Sequence, residues 1–191
     1  NDITQETVIR DMLVVDEGDP FNELLNKKSI NNIKSSGLFS SVDFEVIESK
    51  DQSRKIMDIF VEERPSGEIS AGAGVGTSGS TLTFGIKEGN FNGKGVKTNT
   101  SINIGSDVVS GGLNFVIPNY KYSNKSLNGD LSRTVSDLLT TSGYKNSSNR
   151  IALGTAFEQK QNLFFSPTIG LNFEKLETST IASSALKKQA G

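Results

Sequence analysis

Glu62-Glu63-Arg64-Pro65-Ser66-Gly67-Glu68-Ile69-Ser70-Ala71-Gly72-Ala73-Gly74-Val75-Gly76 divides the chain and decides how each half is read. Pro65 has no backbone N–H to give a sheet ladder, so the strand before it stops there. The residues from Gly67 then alternate. Ile69, Ala71, Ala73 and Val75 share one face, and Glu68, Ser70, Gly72 and Gly74 share the other. That is strand periodicity with a small apolar face and a polar or bare one. A segment of mixed helix and strand therefore runs, almost without a linker, into a series of long alternating strands.

Composition changes at the same point. Residues 1–66 hold 14 acidic and 8 basic side chains, net −6, and two glycines, Gly18 and Gly37. Residues 67–191 hold 8 acidic and 12 basic, net +4, and the other 17 glycines. The mean hydropathy of −0.32 resembles that of a soluble protein. No run approaches the ~18–20 apolar residues of a spanning helix. Alternating strands escape that test, because every second residue dilutes the signal. The absence of Cys excludes disulfides and thiolate chemistry, and the absence of His removes the commonest general base. Neither half is basic enough to suggest nucleic acid.

Upstream of Pro65 the pattern reads helix, helix, strand, strand. Thr4 or Thr7 is the expected cap of a short helix carrying Val8, Ile9 and Met12 on one side. Glu17-Gly18-Asp19-Pro20 is a turn, with Gly18 free to take positive φ. Asn22 suits the cap of a second helix, with Leu24, Leu25, Ile30 and Ile33 at helical spacing and Gly37 ending it. Leu38-Phe39 reads as a buried plug. Val42, Phe44 and Val46, then Met57, Ile59 and Val61, alternate with polar residues in two strands, joined as a hairpin by 49–54. Two strands and two helices make a thin core, so a third strand upstream of Asn1 is expected.

From Gly67 the alternation predicts seven strands, at 67–76, 81–90, 94–105, 110–119, 125–138, 144–158 and 163–176. Their apolar faces include Leu82/Phe84/Ile86, Ile102/Ile104, Leu113/Phe115/Ile117, Leu127/Leu131, Ile151/Leu153/Phe157 and Ile169/Leu171/Phe173. Asn92-Gly93 is the strongest hairpin signal, and 159–162 is a second short turn. Such faces suit either a soluble sandwich with a dry core or a membrane barrel with lipid outside and a polar lumen. Strand length favours the barrel, since these exceed the usual ~5–6 residues and meet the ~9–11 needed to cross a bilayer. Phe91, Tyr120, Tyr122, Tyr144 and Phe164 fall near strand ends, where interfacial aromatic residues sit.

Catalytic motifs are weak. Gly74-Val75-Gly76-Thr77-Ser78-Gly79 has the dinucleotide spacing, but strand periodicity follows where a helix N-terminus is required. Ser184-Ala185-Leu186-Lys187 matches S-x-x-K without companion motifs. Glu62-Glu63 and Asp16-Glu17-x-Asp19 read as solvated charge rather than cation ligands. The expectation is a non-enzymatic protein with no cofactor and no metal.

The residues resemble the BamA family of outer-membrane assembly factors. Asp2-Ile3-Thr4, Val8-Ile9-Arg10, Glu17 to Asn22 and Ile33 to Phe39 are similar to a POTRA domain. Glu63 to Gly74 resembles the family's entry into its first barrel strand, and Asn90-Phe91-Asn92-Gly93-Lys94-Gly95 its second turn. The resemblance implies an α+β POTRA domain at 1–65, the last of an array, followed at 66–177 by an incomplete antiparallel transmembrane β-barrel. Residues 178–191 would begin an extracellular loop with a short helix at 180–189. About nine further strands are expected downstream, because seven cannot close such a barrel.

The implied function is folding and inserting β-barrel proteins into the bacterial outer membrane, with the POTRA domain in the periplasm. Unfolded barrel proteins, periplasmic chaperones, assembly lipoproteins and outer-membrane lipid are the implied partners. The client-binding lateral gate would be Gly67, Glu68, Ile69, Ser70, Ala71, Gly72, Ala73, Gly74, Val75 and Gly76. Physical chemistry makes this strand suitable, since each glycine weakens it by roughly 0.5–1 kcal/mol and its small side chains hold a partner loosely. A related POTRA-barrel protein that secretes or translocates its clients is the alternative reading. A soluble β-rich binding module is the third.

Overall fold

The computed structural model describes residues 3–49, 55–76 and 79–190. The chain forms two compact units, Asn1–Gly67 with Gly89–Val96, and Glu68–Glu88 with Lys97–Gly191.

The first unit contains α1 (Glu6–Arg10), α2 (Glu23–Ser35), β1 (Phe39–Glu48) and β2 (Lys55–Glu63). Neither Thr4 nor Thr7 caps α1. Gln5 occupies that position without a side-chain cap bond, while the Thr4 hydroxyl accepts from Asn90. Gly18 takes φ +98° in the expected turn, and Gly37 takes +77° after α2. Asn22 does cap α2, accepting from the Leu24 and Leu25 N–H groups at 3.0 and 3.2 Å.

The buried stripe of α2 is Asn26, Ser29, Ile30 and Ile33, and Leu24 stands 77% exposed. Spacing explains the correction. Positions 26, 29, 30 and 33 lie one above another on a helix, and Leu24 falls off that face. Ser29 tolerates complete burial because its hydroxyl accepts from the Val14 N–H and donates to the Leu25 carbonyl.

Val42, Phe44 and Val46 of β1 lie opposite Val61, Ile59 and Met57 of β2, as the alternation requires. Val8, Ile30, Ile33, Leu38, Phe39 and Val42 form the core, with Ile9, Met12, Leu13, Ile59 and Val61 packed against it. Of the expected hairpin connection at 49–54, all but Ser49 lies outside the described residues.

The second unit is an open antiparallel sheet. Its strands are β3 (Gly67–Gly76), β4 (Gly79–Phe91), β5 (Val96–Gly105), β6 (Val108–Ile117), β7 (Ser126–Leu138), β8 (Tyr144–Lys160), β9 (Leu163–Phe165) and β10 (Thr168–Thr178). They pair in the order β10-β8-β7-β6-β5-β4-β3, with β9 also on β8. The expected strand at 163–176 is thus broken at Ser166-Pro167. Pro167 can accept from the Thr155 N–H but has none to return, which opens the ladder there. The Asn92-Gly93 turn is wider than a two-residue hairpin. It occupies 92–95, with positive φ at Asn92, Gly93 and Gly95. The C-terminal helix, α3 (Ser184–Gln189), is shorter than expected and is capped by Ser183.

Register separates the sheet's two faces. Leu113, Leu131, Ile151 and Leu171 lie level on one face of β6, β7, β8 and β10, all exposed. One residue along, Ser101, Gly112, Ser132, Arg150 and Asn172 lie level on the other. One face is an apolar surface and the opposite one carries hydroxyls, amides and charges.

Candidate functional site

β3 ends the strand order, with β4 on one side and no described strand on the other. All ten predicted gate residues, Gly67 through Gly76, lie in this strand and all are exposed. Ile69 is 82% and Val75 92% exposed, and a Cβ at Gly72, Gly74 or Gly76 would meet nothing within 4 Å. Side chains hold β3 weakly. Ser70 Oγ donates to the Gly85 carbonyl at 3.4 Å, and Lys87 Nζ stands 4.0 Å from Glu68. An exposed ion pair that long adds ~1 kcal/mol at most. The strand therefore rests on its ladder to β4. Alternate N–H and C=O groups on its other edge point away from β4.

A second feature was not legible in the sequence. The turn at 92–95 closes on Ile3, Thr4 and Gln5. The Gln5 N–H donates to the Gly93 carbonyl at 2.8 Å. Asn90, 6% exposed, donates from Nδ2 to Thr4 Oγ1 at 2.8 Å and accepts the Gly95 N–H at 2.7 Å. From the other side, the Glu63 carboxylate accepts the Ile3 and Thr4 N–H groups. The Thr4 side chain first, then the Ile3 N–H, hold that carboxyl below the usual range. Gly93 is obligatory, since a Cβ there would sit 2.0 Å from the Ile3 carbonyl oxygen. The sequence signalled only a turn, and the partner lies 86 residues upstream.

The motifs set aside earlier find structural roles. Residues 77–78 of the glycine pattern lie outside the described residues, and Gly79 opens a strand, so no helix N-terminus follows. Lys187 Nζ donates to the Thr180 carbonyl. Glu62 accepts from Ser41 Oγ, and Asp19 accepts from the Asp16 N–H. Among the described residues no group of three acidic side chains could hold a metal ion. β2 borders a groove of about 1140 Å³ lined by Ile9, Leu13, Phe21, Met57 and Ile59 among acidic neighbours.

Solved structures that resemble the chain include a BamA and a CdiB. BamA from Haemophilus ducreyi, in a form lacking POTRA domains 1–3, superposes with a TM-score of 0.78 at 20% identity. That match covers 93% of this chain and 34% of the other. CdiB from Acinetobacter baumannii superposes with a TM-score of 0.62 at 12% identity, over 96% of this chain and 38% of its own. The larger sheet has the fold of a β-barrel segment. The chain spans about a third of the length of either neighbour. No protein-family model matches the sequence, and no curated protein matches it. Within the barrel-like sheet, β3 is one terminal strand and β10 the other.

Proposed function

We propose that this chain is the last POTRA domain and the first strands of an outer-membrane assembly factor, which folds client β-barrels into the membrane with β3 as a lateral gate. The observation that carries the reading is β3 itself: the end strand of the described sheet, exposed along its length, rich in glycine and held by its backbone. An unpaired strand edge in lipid costs several kcal/mol per polar group, so β3 must find a partner. Its small side chains let that partner be exchanged, and the terminal strand of a client could add by β-augmentation.

A membrane setting is supported by the slant of the apolar face. Ile102 of β5 is level with Gly111, Arg133 and Asn149, whereas Leu153 of β8 is level with Thr98. From β5 to β8 the apolar stretch thus slides by about four residues, roughly 14 Å. Three strand spacings also amount to about 14 Å. A slab boundary crossing the sheet on that diagonal implies a strand tilt near 45°, close to the ~35–45° of membrane barrels.

The BamA-like match extends over enough of the chain to include much of the N-terminal unit, which supports a POTRA domain there. Client reception on its sheet and a periplasmic location belong to the same proposal. The likeness to CdiB supports a related secretion or translocation protein as the second reading.

The test is a disulfide lock in the full-length protein, joining Ala71→Cys to a cysteine on the last barrel strand. Oxidation should stop assembly of client barrels, and reduction should restore it. Undiminished assembly by the locked form would remove the gate. If client barrels assemble normally without the protein while one exported substrate is lost, the secretion reading replaces it.

A further inference from the structure

We infer that Arg133 and Asn149, on the apolar face of the sheet, form a site for the phosphate of a membrane lipid. This rests on the membrane reading above and adds a ligand to a surface that reading leaves as bare wall. Arg133 of β7 lies between Leu131 and Val135 on the apolar face, opposite Gly111 on one side and Asn149 on the other. It is exposed, and no carboxylate of the described residues pairs with it. The sheet's other arginine, Arg150, faces the polar side, 3.7 Å from Asp130. Lys145 and Lys175, near the same end, are already bound to Asp137 and Glu177 at 2.8 and 2.7 Å. Arg133 alone among these cations lacks an anion.

Its surroundings fit a lipid. One outward position along lies the level row Leu131, Ile151 and Leu171, a path for an acyl chain. On the other side stand Asn149 and Ser147, whose side chains make no hydrogen bond among the described residues. Gly111 has no side chain to cover the guanidinium. With strands tilted by ~40°, the row Ile102–Gly111–Arg133–Asn149–Phe173 climbs about 3 Å per strand toward the edge of the hydrocarbon. Arg133 therefore meets the phosphate layer while Ile102 stays in the chains. A guanidinium offers a planar fork matched to phosphate oxygens, and in lipid it must reach such a group.

The test uses the full-length protein in detergent, titrated with phosphatidic acid or phosphatidylcholine, with bound lipid counted by native mass spectrometry. The unmodified protein should retain phosphatidic acid over phosphatidylcholine. Arg133→Gln should bind phosphatidic acid about tenfold more weakly, the scale of one charge-assisted hydrogen bond. Arg133→Lys should fall between, and Arg150→Gln should match the unmodified protein. Equal retention by Arg133→Gln overturns the site. Displacement by inorganic phosphate at the lipid's own affinity also overturns it, because the acyl path would then contribute nothing. A fluorophore on Leu131→Cys, in bilayers of brominated lipid, separates the two proposals. If it is quenched while Arg133→Gln binds normally, only the site fails. If it is not quenched, the membrane reading fails first.

Discussion

Gly93 leaves no room for a side chain. At φ +69°, with the Ile3 carbonyl oxygen where its Cβ would stand, it lacks both the conformation and the space for a side chain. Gly93→Ala should destabilise the N-terminal unit by more than about 2 kcal/mol, because the obstructing atom is backbone and cannot rotate away. Urea unfolding of the full-length protein, followed at the first unit, measures this. Asn90→Ala should cost about 1–3 kcal/mol by leaving the Gly95 N–H and the Thr4 hydroxyl without their buried partner. Thr4→Val combined with Asn90→Ala should cost less than the sum of the two, since both remove one bond. Amide exchange at Gln5 and Gly95 reports it.

Glu63 makes the same clip pH-dependent. Its carboxyl titrates below the usual glutamate value when folded, so folding favours the charged form. The stabilisation is complete above the unfolded value and is lost as pH falls through the folded one. Thr4 and Ile3 should accordingly loosen as pH drops below the ordinary glutamate value of about 4.3. Glu63→Gln should flatten that response and weaken the clip at pH 7. An unchanged acid profile in the Glu63→Gln protein would show that another group controls it.

At the scale of elements, the proposed exchange of β3 can be tested through its glycines. Cβ atoms at 72 and 74 meet nothing, so Gly72→Val and Gly74→Val should each stabilise the strand by about 0.5–1 kcal/mol through propensity alone. If β3 is the gate, the stiffer strand should assemble clients more slowly while resisting heat better. Faster or unchanged assembly would argue that its softness has no role. Elements were also where the sequence was most legible. Period-two alternation placed all the long strands within a few residues, because a half-buried or lipid-facing strand must alternate. It missed the break at Pro167 because the alternation from Phe165 to Ile169, Leu171 and Phe173 keeps its phase across the proline. In α2 it favoured Leu24 and Leu25 over Ser29, since hydrophobicity cannot reveal a serine whose hydroxyl is satisfied inside the core. The clip between Asn90 and Thr4 left no local trace at all, because local patterns carry no long-range pairing.

For the whole molecule, the diagonal apolar band makes a prediction about depth that strand pairing alone would get wrong. Ile102 and Asn149 share one hydrogen-bonded row, and Leu153 lies four residues further along β8. Upright strands would put Ile102 and Asn149 at one depth and Leu153 roughly 14 Å away. Tilted by ~40°, Asn149 rises about 9 Å above Ile102 over three strand spacings, and the four-residue step brings Leu153 back to within about 1 Å of it. Spin labels at Ile102→Cys, Asn149→Cys and Leu153→Cys in the full-length protein, in bilayers, measure this through oxygen and nickel-chelate accessibility. Matching depths for 102 and 153, with 149 nearer the water, would fix the tilt. Matching depths for 102 and 149 would mean upright strands, and the oblique climb that brings Arg133 to the phosphate layer would go with them. Equal nickel accessibility at all three would mean that water, not lipid, covers the apolar face.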